Sequence, residues 1–168
     1  MSAGNDGVTG EDNGAVGSNS ATGDSTATGS NGAAAATSTT ENNDAAAAIA
    51  LAHALFDAAR NGDSGMLVRY LDAGVPITLT TTAGDSLLML AAYNGHPAIV
   101  EDLLRRGSAV DQANDRGQTP LAGAVFKGYT DVVELLAAAG ADPDAGTPSA
   151  RATAEMFGRT EMVELFDR

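Results

Sequence analysis

The sequence has no cysteine and no tryptophan, and only one lysine and two histidines among its 168 residues. Without cysteine the chain can form no disulfide and has no thiol nucleophile, although this absence is compatible with any redox compartment. Two histidines leave few groups for acid–base or metal chemistry, and no GxGxxG, Walker or HExxH spacing occurs. We therefore expect no enzymatic activity, no cofactor and no metal site.

Basic residues are also scarce, because nine lysines and arginines stand against 22 acids and the formal net charge is −13. Binding to nucleic-acid phosphates needs clustered Lys and Arg, so we expect no nucleic-acid partner. No apolar run approaches the roughly 20 residues of a membrane span. The first residues also lack the basic and apolar regions of a secretory signal. We therefore expect no membrane partner and a cytoplasmic protein.

The composition changes sharply near residue 43. Residues 1–43 contain five acids and no Lys or Arg, and Val8 and Val16 are their only larger aliphatic side chains. Such a segment cannot bury enough apolar surface to offset the entropy of ordering it. The sequence therefore predicts a disordered, low-complexity acidic tail. Asp44 is predicted to be the N-cap of an Ala-rich helix that opens a folded domain over 44–168.

One stretch of the chain is present twice. Residues 84–107 (GDSLLMLAAYNGHPAIVEDLLRRG) match residues 117–140 (GQTPLAGAVFKGYTDVVELLAAAG) at an offset of 33 residues. A fixed period of this size is typical of a stacked repeat array. Thr119 can cap the start of a helix and Pro120 fits its first position, whereas Gly128 can end it in a left-handed turn. Apolar residues at helical spacing follow each turn, so each unit is predicted to be helix–turn–helix.

The run TPLAGA at 119–124, the glycine at 128 and the GAD at 140–142 resemble the ankyrin repeat, whose consensus contains GxTPLHxAAxxGH and ends in GAD. The resemblance implies an all-α solenoid of helix–turn–helix units with short β-hairpin fingers between them. It also implies a protein-binding module. The run NDRGQTPLAGAV and the composition rich in Ala, Gly and Asp are similar to small bacterial members of this family.

Two further units follow from the same register. Leu55 belongs to a degenerate first unit at the 33-residue offset, and Met162 to a last unit at an offset of 30. The four predicted units span about 44–80, 81–113, 114–146 and 147–168. The outer two are predicted caps, because terminal repeats need a polar outer face. The extension at 45–52 is expected to cover one end, while Arg151 and Glu155 replace apolar residues at the other.

The resemblance implies that a protein partner lies across the concave face, which the fingers and the exposed sides of the first helices form. Aromatic side chains and Arg are the most frequent binding anchors. The positions before each turn glycine and in the fingers predict a binding set of Arg60, Asn61, Asp85, Tyr93, Asn94, Asp115, Arg116, Gln118, Phe126 and Lys127. Tyr93 and Phe126 fall on equivalent positions, so they either bind a partner or stack on each other between repeats.

The two histidines have structural interpretations. His53 and Asp57 are one helical turn apart, which favours a surface ion pair over a catalytic dyad or a ligand pair. His96 follows a turn glycine, where the resemblance implies a histidine that hydrogen-bonds to neighbouring backbone. Tyr129 occupies this position in the next unit, so the position is not predicted to be catalytic.

These observations predict a monomeric, non-enzymatic interaction module that binds a protein of unknown identity. An alternative is a regulatory or accessory subunit, with the catalytic activity in its partner. A direct small-molecule enzyme is a third hypothesis. Co-purification of an activity with the partner would separate the first two.

Overall fold

The computed structural model describes the backbone of residues 33–168 and the side chains from residue 40 onward. Its helices are α1 (Ala33–Asn61), α2 (Ser64–Asp72), α3 (Leu87–Asn94), α4 (Pro97–Arg105), α5 (Pro120–Lys127), α6 (Thr130–Ala138), α7 (Ala150–Met156) and α8 (Thr160–Phe166). No strand forms over the described range, where an isolated antiparallel bridge joins Thr80 and Ser86. The all-α solenoid is confirmed, but the fingers are tight turns and not the predicted β-hairpins.

The helices form four stacked pairs. The first helices α1, α3, α5 and α7 pack on one another in that order, as do the second helices α2, α4, α6 and α8. Each first helix also packs on the second helix of its own unit. Leu55, Leu88 and Leu121 are fully buried at the 33-residue period, and burial stabilises each by roughly 1.5–3 kcal/mol. The core is thus one continuous row that no single unit could bury alone.

Local capping fixes where the first helices of the inner units begin and end. Ser86 Oγ accepts a hydrogen bond from Met89 N at 3.1 Å, and Thr119 Oγ1 accepts one from Ala122 N at 3.2 Å. Such caps contribute about 1 kcal/mol each. At the other end, Gly128 has a φ of 82°, a left-handed conformation in which a Cβ would be strained. The predicted start and end of this helix are confirmed.

Helix α1 differs from the expectation at its start. It begins at Ala33, so Asp44 lies inside the helix and the prediction that Asp44 is its N-cap is wrong. Residues 1–32 of the predicted tail lie outside the described residues, whereas residues 33–43 are helical. The domain boundary at residue 43 stays a prediction. None of the helices in 33–168 combines the length and the apolarity that a bilayer crossing requires.

The leading helix is long, as predicted, but most of its extension does not cover the stack. It has 29 residues, against eight in α3. The side chains of residues 45–50 are exposed, and only Leu51 and Ala52 of the predicted extension are partly buried against the core. The expectation that the whole extension covers the open end is therefore wrong.

Two ion pairs of Arg151 hold the parts of the last unit together. Arg151, at the position equivalent to Leu121, places Nη1 2.6 Å from Asp167 Oδ1 and Nε 3.0 Å from Asp144 Oδ1. These two hydrogen bonds, Asp167 first, raise the pKa of Arg151. Arg151 therefore joins the end of α8 to the connection before α7, at a position where the preceding unit has a buried leucine.

Arg106 makes a similar link between the first two units. Its Nη1 lies 2.7 Å from Asp72 Oδ1 at the end of α2, and its Nε lies 2.7 Å from Asp102 Oδ2. The hydrogen bonds of Asp102 and then Asp72 raise the pKa of Arg106. The neighbouring Arg105 reaches only Asp102, at 3.4 Å. Arg106 therefore connects two units, while Arg105 pairs within its own helix.

This difference gives a matched pair of substitutions. Arg106→Gln should lower the melting temperature more than Arg105→Gln, because only Arg106 bonds across units. Circular dichroism melts of both variants measure the difference. In roughly 1 M NaCl the Debye length falls to about 3 Å and the difference should shrink. Equal melting temperatures at low salt would contradict the link between units.

Candidate protein-binding groove

A groove of about 390 Å³ lies between the first helices and the fingers. The first finger is residues 80–86 and the second is residues 114–118. The lining side chains are Arg60, Met89, Leu90, Tyr93, Asn94 and Phe126 from the helices and Asp85, Asn114, Arg116 and Gln118 from the fingers. Seven of the ten predicted binding residues meet here. The other three, Asn61, Asp115 and Lys127, do not line this groove.

A row of exposed rings runs along the first helices, and we call it the aromatic ladder: Tyr93, Phe126 and Phe157. Tyr93 and Phe126 line the groove, and Phe157 extends the row beyond the lining residues. The centroids of Tyr93 and Phe126 are 6.4 Å apart with ring planes at 9°, and Phe157 meets Phe126 edge-on at 5.5 Å and 80°. The three residues are 37%, 48% and 50% exposed. The rings therefore stack between repeats and still present a surface, so the two alternatives for Tyr93 and Phe126 do not exclude each other.

A cation lies at each end of the aromatic ladder. Lys127 Nζ is 4.8 Å from the ring centroid of Tyr93, and Arg159 Cζ is 5.9 Å from that of Phe157. At exposed sites such contacts stabilise by about 0.5–1 kcal/mol each. Arg159 Nη2 also donates to the Phe126 carbonyl at 3.3 Å. Lys127 thus contacts the wall of the groove although it does not line the groove itself.

The residue after each turn glycine holds the preceding unit. His96 Nε2 lies 2.8 Å from the carbonyl oxygen of Arg60, which is the backbone hydrogen bond that the family resemblance implied. A Cβ on Gly62 would lie 2.9 Å from the same imidazole ring. Tyr129, the equivalent residue of the next unit, lies against Gly95 in the same way. These contacts fix the helix ends that carry Arg60 and the aromatic ladder.

Buried Asn114 organises the second finger and joins it to the first. Its Oδ1 accepts hydrogen bonds from the backbone N–H groups of Arg116 and Gln118, both at 3.0 Å. Its Nδ2 donates to Asp85 Oδ1 at 2.7 Å. Asn114 is one of the polar finger positions that could contact a partner, but the predicted binding set of ten residues does not include it. Its register with Thr81, whose Oγ1 accepts from Asp85 N at 3.1 Å, was the signal that could have identified it.

The groove continues along α1 as a second section of about 620 Å³, which shares Arg60 with the first. Ile49, His53 and Phe56 line it, opposite Thr80, Thr81 and Thr82 of the first finger. Ile49, His53 and Phe56 were not predicted as binding residues, because on the helices only the two residues before each turn glycine entered the predicted set. A ligand longer than one repeat could therefore contact three successive first helices.

The predicted pair of His53 and Asp57 does not form. Asp57 Oδ1 accepts from Arg60 Nη1 at 2.9 Å, and no hydrogen bond within the described range joins it to His53. The expected ion pair with His53 is therefore wrong, because Arg60 takes its place. Over residues whose side chains are described, no cluster of three or more His, Asp or Glu could hold a metal ion.

Comparison with known proteins agrees with this architecture. The family profile described as ankyrin repeats (3 copies) matches residues 55–147, which is more than half of the chain. A Pseudomonas aeruginosa protein with the curated name "Putative ankyrin repeat protein" is 54% identical over 44 residues. That alignment covers 26% of this chain and 26% of the relative, so it spans about a quarter of the relative's length. Ankyrin repeats are generally protein–protein interaction modules, and this chain belongs to the ankyrin repeat family.

Proposed function

We propose that this chain is a non-enzymatic interaction module that binds one protein partner along the groove between its first helices and its fingers. The observation that carries the proposal is the aromatic ladder, which is exposed although every ring in it has an aromatic neighbour. Aromatic anchors dominate binding energy in protein interfaces. We expect the chain to be a monomer and to be located in the cytoplasm. Sedimentation analysis measures the oligomeric state.

Contacts within this chain hold several side chains of the groove in place. Stacking holds Tyr93 and Phe126, and Asn94 Nδ2 donates to the Leu90 carbonyl at 2.7 Å. Asn114 holds both fingers through its hydrogen bonds. Immobilising a free side chain on binding costs about 0.5–1.5 kcal/mol. Side chains that are already fixed avoid part of this cost, which supports a binding role for this surface over the other helix surfaces.

The double substitution Tyr93→Ala and Phe126→Ala tests the proposal. Truncating such anchors typically costs about 2 kcal/mol or more of binding, a loss of roughly thirtyfold in affinity. Because the two rings also stack, the melting temperature should fall by a few degrees, in line with about 0.5–1.5 kcal/mol for an aromatic pair. Crosslinking capture followed by titration of the purified partner measures the affinity, and circular dichroism measures the melt.

The control changes two exposed glutamates on second helices at the same 33-residue spacing, Glu101→Ala and Glu134→Ala. It should alter neither affinity nor melting temperature, because surface substitutions away from structural contacts stay within about 0.5 kcal/mol. Unchanged affinity of the aromatic variant would show that the partner binds elsewhere. A collapse of its melting temperature would assign the rings to folding alone.

A further inference from the structure

The groove collects positive charge although the chain as a whole carries −13. Arg60 and Arg116 line it, and Lys127 lies on the Tyr93 ring that forms its wall. Four arginines pair with a carboxylate within 4 Å: Arg60, Arg105, Arg106 and Arg151. Neither Arg116 nor Lys127 has such a partner within residues 40–168. The cations at the groove without such a partner are therefore Arg116 and Lys127. Arg159 is also without one over these residues, but it lies on the Phe157 ring, beyond the residues that line the groove.

Two of the three carboxylates near the groove accept hydrogen bonds within this chain. Asp85 lines the groove, and its Oδ1 accepts from Asn114 while its Oδ2 lies 3.5 Å from Thr81 Oγ1. Asp57, in the neighbouring section, pairs with Arg60 at 2.9 Å. Asp115 lies at the tip of the second finger and does not line the groove. Asp85 keeps its negative charge, because its donors are neutral. The groove and its wall therefore carry two unpaired cations, Arg116 and Lys127, against one carboxylate.

We propose that the segment of the partner that occupies this groove is an acidic peptide with one large apolar side chain. The apolar side chain contacts the aromatic ladder next to Leu90, and carboxylates on either side of it pair with Arg116 and Lys127. Arg suits carboxylates because its guanidinium donates two parallel hydrogen bonds. This inference rests on the proposed function of the same groove and adds the chemistry of the ligand.

The occupant is a partner segment and not the N-terminal segment of this chain. Residues 1–32 do carry four acids and no base. Their only larger aliphatic side chains are Val8 and Val16, however, and they contain no aromatic residue. A segment of this composition offers charge for Arg116 but little apolar area for the aromatic ladder, and apolar burial is the dominant favourable term in most association.

Selection from a displayed library of random short peptides on the full chain tests the inference. Each selected pool is counter-selected on the variant with Tyr93→Ala and Phe126→Ala. The expected result is enrichment that the variant abolishes, of peptides with net negative charge and one aromatic or large aliphatic residue. Groove-dependent peptides that are neutral or basic would overturn the inference and leave the proposed function standing. Enrichment that survives the aromatic substitutions, or no enrichment, would count against both.

Fluorescence anisotropy with the most enriched peptide, carrying a fluorescent label, then tests whether Arg116 contributes to binding. Arg116→Gln should weaken binding about fivefold and Arg116→Glu more than tenfold, because a like charge repels the peptide. The matched controls Arg69→Gln and Arg69→Glu, on an exposed side chain of α2 outside the groove, should change affinity less than twofold. Equal effects at the two arginines would overturn the inference.

A synthetic peptide of residues 1–32 serves as the competitor in the same assay. The concentration of this peptide that displaces half of the labelled peptide should be at least tenfold higher than that of the unlabelled selected peptide, because residues 1–32 lack the apolar anchor. Displacement of equal strength would show that acidity alone suffices and that this chain's own segment can fill the groove, which would overturn the assignment to a partner.

Discussion

A chain that ends at Ala145 should aggregate or unfold under conditions in which the full chain is folded. The truncation removes α7 and α8, which pack on α5 and α6 respectively. The fully buried side chains of those two inner helices include Leu121, Val133 and Leu136. Each buried aliphatic side chain contributes roughly 1.5–3 kcal/mol, against a total stability of about 5–15 kcal/mol for a domain. Exposing even a few of them removes a large part of the total.

Size-exclusion chromatography and thermal melts of the truncated chain check this expectation. The control is removal of residues 2–32, a longer deletion at the other end whose composition offers almost no apolar side chain for a core. It should leave the melting temperature within a degree or two. A truncated chain that stays monomeric with the melting temperature of the full chain would contradict the capping role of residues 149–168.

The fold could be predicted because its signals repeat. The apolar spacing, the cap at Thr119 and the turn at Gly128 recur at one period and agree with each other. No signal that recurs at this period marks the start of α1. Asp44 satisfies the rule for an N-cap, yet residues 33–43 before it are helical. Helix propensity and capping are weak preferences that the neighbouring residues can override.

The candidate site was predictable only as far as the register holds. Arg60, Tyr93 and Phe126 are equivalent positions, and the structure brings all three to the groove. In the last unit the equivalent position is Met156, yet the ring that meets Phe126 is that of Phe157. Helix α7 ends at Met156, and Phe157 is its C-cap at a φ of −94°, directly before the left-handed Gly158 at a φ of 63°.

The contacts between fingers could not be predicted from one sequence. Asn114 and Asp85 are 29 positions apart, and their hydrogen bond depends on how two turns lie against each other. The same is true of Arg106 and Asp72, which meet only because α2 and α4 stack. The sequence identified these residues only as polar or charged. It carried no information about which donor meets which acceptor.

Leu121→Ala should cause a larger loss of stability than Leu55→Ala, the truncation of the equivalent leucine in the first unit. Leu121 is fully buried in α5, a helix that packs on α3 on one side and α7 on the other. Leu→Ala in such a site costs about 3–5 kcal/mol, because the neighbours on both sides cannot collapse into the cavity. For a domain of this size the melting temperature should fall by about 10–20 °C. Urea titration gives the free energy of unfolding directly.

Two comparisons test whether the surroundings of the truncated side chain determine the loss. Leu55 is equally buried, but α1 packs on only one other first helix, α3, so Leu55→Ala should cost less. Met156 is 72% exposed, and Met156→Ala should stay within about 0.5 kcal/mol. In a stacked array the stability is approximately the sum of unit and interface contributions. The expected order of losses is therefore Leu121, Leu55 and Met156, and a cost at Leu55 equal to that at Leu121 would show that the number of neighbouring units does not determine the stability of a unit.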